Sequence, residues 1–124
     1  MKELAENALQ FYGTNPGNWK FPWCRAFVNH VLDHFGIEHN QTLLARDALS
    51  IGSSVQTPKL GDIVVLWRDE KDSWKGHVGF FVHKDQTHVY LIGGNQDGIV
   101  KVKEFPLFRV LGYRAVKKSC NEKD

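Results

Sequence analysis

No stretch of the sequence approaches the ~20 consecutive apolar residues that a membrane-spanning helix requires, which excludes a helical membrane span. The opening MKELAENALQFYG places Glu3, Glu6 and Asn7 among its apolar residues, and so lacks the uninterrupted apolar core of a secretory signal. Synthesis in the cytoplasm is expected, with delivery by other means to any substrate outside it. Cysteine is scarce: there are two in 124 residues. Cys24 opens an apolar helical pattern, whereas Cys120 sits in the polar KKSCNEKD, where no packing would hold the pairing geometry. Two free thiols, made in a reducing compartment, are therefore expected. An excess of one charge is also lacking. The 16 Lys and Arg are interspersed with 14 Asp and Glu for a net +2, an ordinary surface without the basic footprint of a nucleic-acid binder. There is no internal repeat, low-complexity block or linker. Residues 1–124 therefore read as one domain, with a core of about 3–116 and a polar tail at 117–124.

A hydrophobic share of 42% suffices for one core without metals or multiple disulfides. From Glu3 to Tyr12, Leu4, Ala5, Ala8, Leu9 and Tyr12 recur at helical spacing, and Gly13 ends the pattern. GTNPGNWKF is a loop, marked by Asn-Pro and Pro-Gly. Pro22 then suits a first helical turn, and WCRAFVNHVLDHFG is the clearest helix. Cys24, Phe27, Val28, Val31 and Phe35 form one apolar stripe, with Arg25, Asn29 and Asp33 facing away. Thr42 to Leu49 reads as a further short helix that Gly52 closes. After Pro58 the character changes to β-rich runs: Asp62–Trp67, His77–His83, His88–Gly93, Ile99–Phe105 and Val110–Val116. Short polar turns such as KDQT and NQDG favour antiparallel neighbours. The expectation is an α+β fold with N-terminal helices packed on a C-terminal antiparallel sheet of five to six strands.

Three features bear on chemistry. Cys24 lies in a first helical turn, where unpaired N–H groups and the helix dipole stabilise a thiolate. By itself it is equally a small buried cysteine. His77 begins a strand in KGHVGFFV, with Gly76 and Gly79 leaving room around it. By alternation His77, Gly79 and Phe81 share one face, and Val78, Phe80 and Val82 form a natural core face. If the first face meets the Cys24 helix, the imidazole can take the thiol proton and later protonate a leaving amine. In GGNQDG, Asn95 or Gln96 can accept the second imidazole N–H and orient the ring, although a plain Gly-rich hairpin turn explains the same residues.

PWCRAFVNHVL, LGDIVVLW, GHVGFFV, GGNQ and LGYR occur in that order between Pro22 and Arg114. Together they resemble the NlpC-type and CHAP-type superfamily of papain-like peptidoglycan hydrolases, in particular a compact branch with PWC, GHVGF and GGNQ phrases. The resemblance implies a nucleophile at a helix N-terminus on an antiparallel sheet, a histidine base and a polar third residue. It assigns Cys24 and His77 to the first two roles. Asn95 is preferred as the third, leaving Gln96 for the substrate or the oxyanion. Relatives often supply a tyrosine upstream of the cysteine to the oxyanion hole, which makes Tyr12 a candidate, and Trp19, Trp23 and Gly76 are candidates for the substrate cleft.

The function so implied is a cysteine peptidase or amidase acting on peptidoglycan stem peptides, without a cofactor and as a monomer. Its site of action would be the periplasm or cell wall of a target bacterium. A phage lysin would depend on a holin, and an injected antibacterial effector would be paired with an immunity protein. Alternatives on the same fold are an amidase or acyltransferase with a non-wall substrate, or a non-catalytic wall-binding module. Metal chemistry finds little support: His30 and His34 are one helical turn apart with His39 nearby, but Val31 stands where a zincin motif needs glutamate. GGNQDG opens no helix and so is no phosphate loop.

Overall fold

The apolar stripe that begins at Cys24 does form a helix, α2 (Cys24–His34), in the computed structural model, which describes residues 1–117. Trp23 is its non-helical N-terminal neighbour, with φ −123° and ψ 18°, so Cys24 is the first helical residue and Pro22 lies before the helix, not in its first turn. Phe27, Val28, Val31 and Leu32 are fully buried. Helix α1 (Lys2–Leu9) packs beside α2 through Leu4, Ala5 and Ala8, ending earlier than the periodicity to Tyr12 implies because residues 10–13 continue as turns. The expected helix at 42–49 is a 3₁₀ helix at Ala45–Ser50.

Arg25 departs from expectation. It does not face away from the protein with Asn29 and Asp33 but is completely buried. The chain after α2 returns over that side of the helix. Arg25 Nε donates to Asn29 Oδ1 at 2.8 Å, Nη1 to the Leu44 carbonyl at 3.2 Å, and Nη2 to Asn40 O and Oδ1 at 2.6 and 2.7 Å. Helical periodicity assigned the residue to the right face of α2. What covers that face is a loop whose carbonyls need donors, and a buried guanidinium meets that need at acceptable cost only because it is so fully bonded.

Six strands follow: β1 (Ser53–Val55), β2 (Ile63–Trp67), β3 (Gly76–Lys84), β4 (His88–Gln96), β5 (Ile99–Pro106) and β6 (Val110–Ala115). They form one antiparallel sheet in the order β1-β6-β2-β3-β4-β5. The class is α+β, as expected. Strands β2 to β5 are a meander; a 3₁₀ turn at Leu107–Arg109 sends β6 back to pair with β2. Strand β1 is Ser-Ser-Val, without apolar alternation, and is defined only by its pairing of Ser53 with Ala115 and Val55 with Tyr113.

The two faces of the sheet bury different clusters. Val65, Val78, Phe80, Ile92 and Val100 pack against the helices in the main core. Val64, Leu66, Phe81, Val89, Leu91 and Phe105 form a second cluster, bordered by Leu107, Val110 and Tyr113. Among the described residues neither α1 nor α2 contributes to this second cluster, which the strands and the 3₁₀ turn at Leu107–Arg109 form between them. Register shifts at Val65/Leu66, Phe81/His83 and Gly93/Gln96 supply bends of the kind that β-bulges introduce.

Helix and sheet pack tightly at Gly94. A Cβ there would lie 2.6 Å from Phe27 Cβ and 2.7 Å from the Trp23 ring. Gly94→Ala is therefore expected to destabilise the fold by about 1–3 kcal/mol through overpacking, measurable as a lower urea midpoint. An unchanged midpoint would show that α2 yields at this contact.

Candidate active site

Cys24 is a half-buried free thiol at the first position of α2, facing the end of the sheet where β3 begins. His77, the second residue of β3, lines the same cleft as the thiol, and together with the backbone N–H groups of Val78 and Arg25 it favours the thiolate. Burial pushes the Cys24 pKa up. His77 and the two backbone N–H groups push it down, and the net direction is downward from the ordinary thiol value.

The approach is not made as simple alternation suggests. Helix α2 packs on the Val78 and Phe80 face of β3, the expected core face, and not on the face shared by His77 and Phe81. The thiol and imidazole meet because Cys24 is the terminal residue of α2 and His77 lies near the end of its strand. Phe105, from the second cluster, lies against the imidazole with a centroid separation of 5.0 Å.

The imidazole is oriented by Gln96, not by Asn95. His77 Nε2 is 2.8 Å from Gln96 Oε1. The Gln96 amide nitrogen donates to the Lys101 carbonyl at 2.6 Å and the Leu91 carbonyl at 3.3 Å. Those two carbonyls require the NH₂ end of the amide, so its oxygen must face the imidazole, and Nε2 must carry the hydrogen that it accepts. The lone pair of neutral His77 is therefore on Nδ1, free for the thiol proton. Asn95 has φ 55° in the irregular end of β4, where the register with β5 shifts between Gly93 and Gln96. That bulge turns the side chain of Gln96 inward, where it is 2% exposed, and leaves Asn95 lining the cleft.

Cys24 and His77 open into a cleft of about 170 Å³, lined also by Pro22, Arg68, Gly76, Asn95, Gln96, Lys103, Phe105 and Arg109. A shallower groove continues from Cys24 past Pro22, Leu43, Leu44, Ala45, Trp74 and Gly76. The cleft side of Cys24 is therefore cationic and the groove side mainly apolar, with Pro22, Arg68 and Gly76 on both. Arg46 ties the β2–β3 loop to the 3₁₀ helix, donating to the Lys75, Lys71 and Glu70 carbonyls at 2.7, 2.7 and 2.8 Å. That loop carries Trp74.

Of the other residues singled out from sequence, Gly76 lines the cleft, but Tyr12 is half exposed beyond α1 and does not. Trp19 and Trp23 stack on each other at 5.4 Å, and Trp23 lies buried against Phe27; neither lines the cleft or its groove. Trp19 is held by the Asn15 side chain, which bonds both its N–H and its carbonyl. The three imidazoles of the helix region are engaged separately: His30 with Phe11, His34 with Phe35, and His39 with Asp33 at 2.8 Å. Cys120 lies outside the described residues. A larger cavity of about 530 Å³, between Gly36–Glu38 and Gly52–Ser53, contains no cysteine or histidine among its described lining residues. Sequence reading missed Arg68, Lys103, Phe105 and Arg109, which reach the cleft from different parts of the sheet and share no local motif.

The balance at Cys24 gives a test. Iodoacetamide should alkylate it with an apparent pKa below the ~8.5 of a free thiol. In His77→Ala the burial penalty loses its largest opponent, so the apparent pKa should rise above the wild-type value. Equal values in the two proteins would rule out His77 as the group that lowers the thiol pKa.

Comparison with models of protein families matches residues 16–95 to the CHAP domain. Curated proteins and solved structures give no significant match. The matched segment begins before α2 and ends in β4, so it includes both Cys24 and His77, while Gln96 lies one residue beyond it. Since the match spans more than half of the 124 residues, the chain belongs to the CHAP domain family, whose domains are typically hydrolases acting on peptidoglycan.

Proposed function

We propose that this chain is a cysteine peptidase or amidase that hydrolyses amide bonds in peptidoglycan stem peptides, with Cys24 as nucleophile, His77 as proton shuttle and Gln96 as the residue that orients His77. The observation that carries the reading is the Cys24–His77–Gln96 arrangement: a thiol whose pKa His77 lowers, in the same cleft as an imidazole whose Nε2 donates to a buried amide.

In this reading His77 Nδ1 takes the Cys24 proton and the sulfur attacks the amide carbonyl carbon. The Cys24 backbone N–H, unpaired at the helix N-terminus, stabilises the oxyanion. Collapse breaks the C–N bond, and the imidazolium gives its proton to the departing amine. A water deprotonated by His77 then cleaves the thioester, releasing the carboxylic acid and restoring the thiol. Gln96 holds the ring in one tautomer throughout. Hydrolysis would occur in the periplasm or wall of a target bacterium, reached through a holin pore or a secretion machine.

Cys24→Ala and His77→Ala are each expected to abolish release of peptides from purified peptidoglycan while leaving the circular dichroism spectrum unchanged. Gln96→Ala should retain some activity, with kcat reduced by about 10²-fold. Mass spectrometry of the released muropeptides identifies the bond. Full activity in either of the first two variants would overturn the assignment.

A further inference from the structure

The cationic side of the cleft is more than the catalytic relay requires. Arg109 Nε donates to the Trp67 carbonyl at 2.9 Å, and its guanidinium lies 5.9 Å from the Trp67 ring centroid and 5.5 Å from that of Phe105. This holds the guanidinium plane in place while its terminal nitrogens have no protein acceptor among the described residues. Phe105 also contacts His77, so the fork is one ring away from the catalytic base.

Arg68 lines the same cleft, and its charge works against that of Arg109. Among the described residues no carboxylate forms an ion pair with either. The nearby acids are already engaged: Asp69 with Lys75 at 3.2 Å, and Asp97 with both Lys101 and Lys103. Asp69 is the one carboxylate whose charge acts on Arg109, and it is shared with Lys75, so an anionic ligand between the two arginines would relieve their mutual repulsion. A planar fork with two free nitrogens matches a carboxylate, which it binds bidentately.

We propose that Arg109, with Arg68 beside it, forms a carboxylate-binding subsite that selects substrates carrying a free carboxylate close to the amide cleaved at Cys24. The proposal rests on the hydrolase reading for the bond that is cleaved, but the subsite can be tested without cleavage. The apolar groove of Leu43, Leu44 and Trp74 would take the opposite side of the substrate, which fixes the direction in which a peptide lies across the sulfur. Arg109 acts here as a specificity-determining residue.

The test uses Cys24→Ala protein, which cannot turn over, and two soluble stem peptides: one with free carboxylates and one with the same carboxylates converted to carboxamides. Calorimetric titration should show the free form binding at least about tenfold more tightly, the worth of one charge-assisted hydrogen bond. Arg109→Gln should reduce that preference to near unity without weakening binding of the amidated peptide. Arg68→Gln, at an exposed position, should reduce it in part and serves as the second variant should Arg109→Gln fail to fold.

Equal affinity for the two peptides, or an undiminished preference in the folded arginine variants, would overturn the subsite. Binding of neither peptide would do the same. The two readings fail separately. Wild-type protein that cleaves both peptides with equal kcat/KM leaves the hydrolase and removes the subsite. An arginine-dependent preference in binding, with no cleavage of either peptide by wild-type protein, leaves the subsite and removes the hydrolase.

Discussion

The bond between His77 Nε2 and Gln96 Oε1 is the constraint on which the chemistry of the fold depends. It is specific because Gln96 is fully committed elsewhere: its amide nitrogen serves two backbone carbonyls within the β4–β5 hairpin. A neutral amide held in this way can face the imidazole only with its oxygen. The ring is therefore kept with its hydrogen on the far nitrogen and its lone pair toward the sulfur. A carboxylate would hold the ring by charge, whereas here hydrogen-bond geometry does so, and the hairpin itself supplies the geometry. The bulge that makes the end of β4 irregular is thus part of the site, since without it the Gln96 side chain would not turn inward.

The thiol depends on a second set of constraints. Helix α2 approaches the sheet where Gly94 has no side chain, with Trp23 and Phe27 filling the contact. Immediately after Cys24, Arg25 is buried and bonded to the loop at Asn40 and Leu44. One side of α2 is thereby pressed against β4 and another tied to the returning chain. Its first residue cannot move away from the strand end where His77 lies. The same loop carries Leu43 and Leu44 into the apolar groove, so Arg25 links the placement of Cys24 to the shape of the surface beside it.

Much of this was legible along the chain because it is local. The 3.6-residue stripe from Cys24 to Phe35, the alternation in GHVGFFV and the Asp-Gly turn after GGNQ each depend on near neighbours. The Asp97 and Gly98 φ angles of 58° and 84° suit that tight hairpin. The order of the phrases carried the family. Arg25 was misread because helical periodicity reports which way a residue faces but not what later covers that face. Asn95 was preferred over Gln96 because a one-residue bulge reverses side-chain direction, and no composition rule announces it.

What the sequence by itself determined was the class of fold, the placement of Cys24 at a helix start and of His77 near a strand start, and the CHAP resemblance that joins them. Those are properties of periods and neighbours. Only the tertiary structure decided which amide orients His77, that Arg25 is an internal anchor, and that Arg68, Lys103 and Arg109 surround one side of the thiol. The physical reason is that these relations are set by strand register and strand order. Arg68 follows β2, Lys103 lies on β5 and Arg109 ends the 3₁₀ turn before β6, positions that become neighbours only once the strands have paired.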